Sequence, residues 1–230
     1  MQKKVKRREK MDYQSSSRSK SSSLSGVISL CAFLGAVALL AEFVFFLIKT
    51  FEANTSVNAN IVLDIICRAL LVVVAILFAI YYVFGYQNSA AGNLGMTTYI
   101  VLTGYGLMLF LKGFYAIVEA SQAAGQEATK TVISMLPSIT VPVIMTVLFA
   151  LVLKNFILGN FSKVVYTMAF AFVLAVLPQE IMSALCNLMT TNADDKMPLI
   201  TALLLPLGKA LTYTAMTIFG VKAFYHRAKR

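Results

Sequence analysis

Six ionisable side chains interrupt otherwise apolar stretches of this chain: Glu42, Asp64, Arg68, Lys112, Glu180 and Lys209. Three are acids and three are bases, so the set can be neutral as a whole. Charges of this kind can pair with one another or hold the charged group of a solute. An isolated charge at the centre of a bilayer costs roughly 2.5–3.5 kcal/mol even on a lenient insertion scale. Six unpaired ones would approach the whole stability of a typical fold. Each therefore has to be paired, hydrated or close to an interface.

Spacing separates two groups. Asp64 and Arg68 stand four residues apart, which puts them on one face of a helix and predicts a structural ion pair. The other group is the candidate solute-binding set: Lys209, Glu180, Glu42, Lys112, Gln179 and Tyr105. Lys209 sits in the run LPLGKALTY (205–213), directly after Pro206 and Gly208. At ~1.5 Å per residue it lies ~18 Å from the nearest helix end, against ~9 Å for Glu42 and Lys112, ~6 Å for Asp64, ~12 Å for Arg68 and ~13 Å for Glu180. It is the deepest charge and the least able to snorkel to a headgroup. Glu180, at comparable depth in another proline-interrupted segment, is its expected partner, and a carboxylate or phosphate of a solute would bind Lys209. Thr98, Tyr105, Lys112 and Glu119 recur every seven residues, so they fall near one stripe of a helix.

Other chemistries find no residues to carry them. The single histidine, His226, is beside the C-terminus, which excludes an intramembrane His-based zinc site. There is no G-x-S-x-G elbow, no phosphate-binding P-loop and no dinucleotide fingerprint. Cys31, Cys67 and Cys186 lie in apolar stretches without a C-x-x-C pair and read as small apolar packers. No metal, no cofactor, no nucleic acid and no enzymatic activity are expected.

The elements that must position these residues follow from composition. Of 230 residues, 59% are hydrophobic and 13% charged, and the mean hydropathy is +0.77. A soluble domain carries about 25% charged residues, so this chain cannot cover a water-facing surface. Six apolar segments can be marked at 26–48, 60–84, 94–118, 131–153, 164–189 and 197–224, each long enough to cross ~30 Å of hydrocarbon as a helix. The expected fold is an all-α membrane protein with six transmembrane helices. All five prolines lie in the last three (Pro137, Pro142, Pro178, Pro198 and Pro206), which predicts kinks in helices 4–6.

Basic residues crowd the first 25 positions and the C-terminal HRAKR, while the connections at 49–59, 119–130 and 190–196 carry most of the acids outside the helices. By the positive-inside rule both termini are cytoplasmic, as an even number of crossings requires. The domain organisation reads as a disordered, basic, Ser-rich cytoplasmic tail over 1–25, a six-helix domain over 26–225 and a short basic tail over 226–230. The cell membrane, plasma or inner, is the expected location, and the lipid bilayer the first partner.

All six intramembrane charges fall in the outer half or at the midplane. That bias predicts a polar vestibule open to the outer side, suited to binding or transporting a small polar or zwitterionic solute. The alternative is a non-catalytic, non-transporting subunit or assembly factor whose charges pair internally or with partner helices. In architecture, with six helices, an outer-half polar pocket and the Ala32-x-x-x-Ala36 pair in the first helix, the chain is similar to the vitamin-binding S components of energy-coupling-factor transporters. The likeness carries over no residue. It implies that other membrane subunits, including a separate ATPase motor, would be partners, since the chain has no ATP-hydrolysing module of its own.

Overall fold

The computed structural model describes residues 2–52, 58–84, 89–124, 128–158 and 196–228, with scattered helical positions between 171 and 189. The described chain is helical: α1 (Gln2–Glu52), α2 (Ala59–Phe84), α3 (Ser89–Ala124), α4 (Ala128–Ile157) and α5 (Lys196–Ala228). Four of these contain stretches long and apolar enough to cross a membrane: Gly26–Glu52, Ala59–Tyr81, Met96–Gln122 and Thr129–Asn155. A shorter apolar stretch, Leu203–Phe219, lies in α5. Most of the fifth segment expected from sequence, 164–189, lies outside the described residues, and Gln179 and Glu180 lie outside them with it.

The backbone of α1 is helical back to Gln2. Extending a helix already nucleated by an apolar segment needs no new nucleus. The backbone is also helical through Pro142 and Pro206.

Neighbouring helices pack in the order α4, α3, α2, α1, α5, most extensively at α3–α4 and α1–α5. Both of these contacts are made at glycines. A Cβ at Gly35 of α1 would meet Thr212 Oγ1 at 2.6 Å and the Gly208 carbonyl of α5 at 3.2 Å, while one at Gly208 would meet Leu39 at 2.6 Å. On α3, a Cβ at Gly113 would stand 2.8 Å from the Ser138 carbonyl oxygen of α4. Pro142 has no N–H to offer that carbonyl, so the missing side chain of Gly113 lets α3 close over a polar atom that hydrocarbon could not solvate. Small residues thus bring two helix pairs to backbone distance.

The core faces follow helical spacing. On α2, Cys67, Leu71, Val74, Ala75 and Phe78 are buried; on α1 the buried face runs Ile28, Ala32, Ala36, Leu39 and then Glu42. Opposite that face, Leu30, Phe33, Val37, Leu40, Val44 and Ile48 are 45–61% exposed. A helix apolar on both faces has no side for water. These helices point to an integral membrane protein embedded in a lipid bilayer.

Candidate functional site

The ends of α1, α2 and α3 nearest the α1–α2 connection bring together four of the six intramembrane charges. Glu42 comes from α1, Asp64 and Arg68 from α2, and Lys112 from α3. Arg68 Nη1 pairs with Glu42 Oε1. Arg68 Nε lies 3.4 Å from Asp64 Oδ2, and Lys112 Nζ donates to Asp64 Oδ1 at 2.5 Å. The charges alternate in sign along the chain of contacts, so the ladder is electrically neutral. Its side chains become more exposed towards α3: 6% for Glu42, 20% for Arg68, 23% for Asp64 and 40% for Lys112.

Each rung has a local cause. Glu42 continues the buried face of α1 one turn beyond Leu39, so its carboxylate points into the bundle. The Arg68 guanidinium also lies 3.9 Å over the Phe46 ring of α1, a cation–π contact one helical turn from Glu42. On α3 the seven-residue stripe turns towards α2. Thr98 and Tyr105 are buried, Lys112 holds Asp64, and Glu119 accepts from Asn60 Nδ2. Tyr105 lies within electrostatic reach of Arg68. The steps of the two helices do not match, at about 6 Å for the four-residue spacing on α2 and about 10.5 Å for the seven-residue spacing on α3. The long Lys112 and Glu119 stems close that difference.

Above the ladder is an open cleft of about 370 Å³, lined by Phe46, Thr50, Asn58, Asn60, Ile61, Asp64, Lys112 and Ala116. Asn58 caps α2, its Oδ1 accepting from the Ile61 N–H at 3.0 Å. The cleft therefore has amide and hydroxyl groups near the helix ends, an ion pair on its wall and floor, and apolar surface from Phe46, Ile61 and Ala116. Its volume is at the small end of the roughly 300–1,000 Å³ usual for ligand pockets.

The candidate residues from sequence fall in three places. Glu42 and Lys112 enter the ladder, with Tyr105 beside it. They are joined there by Asp64 and Arg68, which spacing alone assigned to a separate pair. Lys209 is half-buried on α5 and lies within electrostatic reach of Cys67, as Lys112 does. Glu180 and Gln179 lie outside the described residues. Sequence reasoning missed the Glu42–Arg68 contact, and with it Phe46, Thr50, Asn58 and Asn60. The available signal was depth: Glu42 and Arg68 stand at similar heights in adjacent antiparallel helices.

Among the described residues no group of three His, Cys, Asp or Glu side chains could hold a metal ion. No protein-family model, curated protein or solved structure matches the chain. The functional reading rests on the geometry.

Proposed function

We propose that the protein crosses the cell membrane six times with both termini cytoplasmic, and that the cleft between α1, α2 and α3 receives a small polar solute from the outer side. It acts as a transporter or as the solute-capturing subunit of one. The observation that carries this reading is the open cleft ending on the exposed side of a neutral ion ladder, with Lys112 40% exposed. The cleft is at the α1–α2 end of the bundle, opposite the basic N-terminal tail. Helix direction supports six crossings: α5 runs antiparallel to α1, and α4 to α3, the directions expected when one further crossing joins α4 to α5.

A second reading keeps one observation of its own. All four ladder charges have partners within the chain, as they would in a non-transporting subunit where the ladder only clamps three helices. Thermal-shift measurement on the detergent-purified protein against a panel of polar metabolites separates the two. The cleft reading expects a saturable rise in Tm with at least one compound, lost in Lys112→Met. A flat response across the panel would favour the clamp.

A further inference from the structure

We infer that the ligand of the cleft is a compact α-zwitterion with a small apolar body, a free α-amino acid or a close analogue, lying antiparallel against the Lys112–Asp64 ion pair. The inference rests on the cleft reading above and names the substrate class of that site.

Charge balance is the first ground. Glu42, Arg68, Asp64 and Lys112 sum to zero, and each is already in contact with an opposite charge. Bringing a monoanion or monocation into this partly dry site removes its hydration, and a neutral ladder has no net charge to compensate it. A molecule with no net charge avoids that loss. A zwitterion also gains from the local dipole of the pair, its carboxylate beside the Lys112 ammonium and its ammonium beside the Asp64 carboxylate.

Distance is the second ground. Lys112 Nζ and Asp64 Oδ1 are 2.5 Å apart, so the ligand's two charges must also be adjacent. An ammonium and a carboxylate on one carbon meet this condition, and the four charges then alternate around a small square without breaking the native pair. A long ω-amino acid separates its charges along a chain and satisfies one end at a time. Lys112 can adjust, because its side chain is 40% exposed and its four-carbon stem is flexible. Asp64 is fixed from behind by Arg68.

The remaining lining sets the rest of the ligand. Phe46, Ile61 and Ala116 present apolar surface inside the same cleft, while Asn58, Asn60 and Thr50 line it as polar groups. An apolar side chain on the α-carbon would meet the first group while the charged head meets the ion pair.

The test uses the full chain in detergent and constitutional isomers as probes. Norleucine and 6-aminohexanoate have the same formula and net charge and differ in charge separation. Hexanoate and pentylammonium supply the single charges, and hexanamide the uncharged polar control. A wider panel sets free α-amino acids beside their deaminated acids and decarboxylated amines. Binding is read by isothermal titration and thermal shift. The expected result is that an α-amino acid binds while its ω-isomer and single-charge counterparts bind roughly tenfold to a hundredfold more weakly, the loss of one charge-assisted hydrogen bond. Lys112→Met and Asp64→Asn should each produce a loss of the same order, with the size-exclusion profile unchanged. If a variant misfolds, the ligand series on the wild-type protein still decides. Equal binding of a single-charge, ω-amino or uncharged probe overturns the zwitterion inference and leaves the cleft reading standing. Absence of binding by every probe overturns the zwitterion inference, and together with a flat response across the polar-metabolite panel it overturns the cleft reading as well.

Discussion

Breaking the Glu42–Arg68 contact should be the most damaging single change to the ladder. Glu42 is the most buried of the four, with its side chain 6% exposed. Glu42→Leu removes the carboxylate and leaves Arg68 with Asp64 at 3.4 Å and the Phe46 ring. Removing one partner of a buried pair costs about 3–5 kcal/mol. Because Arg68 keeps a partial partner, about 3 kcal/mol is expected here, roughly a hundredfold in the folding equilibrium. The penalty comes from a stranded guanidinium, so the double variant Glu42→Leu/Arg68→Leu should recover most of it. Reversible unfolding in mixed detergent micelles measures both singles and the double. The expected coupling is about 2 kcal/mol or more, well above the ~0.5 kcal/mol within which independent sites add. Additive losses would refute the reasoning, because they would mean that neither side chain depends on the other.

Further predictions follow the same geometry. Loss of stability should fall with exposure along the ladder, so Asp64→Asn should be milder than Glu42→Leu, and Lys112→Met milder still, in the same unfolding assay. Gly35→Ala should cost about 1–3 kcal/mol because its Cβ meets Thr212 and the Gly208 carbonyl, whereas Gly104→Ala, with nothing within 4 Å of the added Cβ, should change little. Cysteines introduced at Ser56 and Asn192 should react with an impermeant thiol reagent from the outer side, and one in the N-terminal tail should not; the reverse pattern would overturn the orientation.

What the sequence made legible was what one helix decides alone. The Asp64–Arg68 spacing, the α3 stripe and the apolar spans all follow from periodicity along a single element. The partner of Glu42 did not, because it depends on how α1 and α2 are rotated against each other. That rotation follows from the buried faces of the two helices, Ala32, Ala36 and Leu39 on α1 and Cys67, Leu71 and Val74 on α2, which read in sequence only as small and apolar residues in an apolar run. The i, i+4 rule pointed Arg68 to Asp64, which it does touch, while the closer contact comes from a different helix. Lys209 drew attention by depth, whereas the cleft is lined by Asp64 and Lys112.

The most direct measurement of the central claim is cysteine accessibility along the cleft in intact cells. In a background with Cys31, Cys67 and Cys186 replaced, Thr50→Cys and Ala116→Cys sit on the cleft wall, and Leu107→Cys sits on an exposed face of α3 away from it. A thiol reacts as the thiolate, which needs water. If the cleft opens to the outer side, the two cleft positions are modified from outside by an impermeant reagent and protected by the solute that raises Tm, while Leu107→Cys stays inert. Inert cleft positions, or modification only from the cytoplasmic side, would contradict an outward opening.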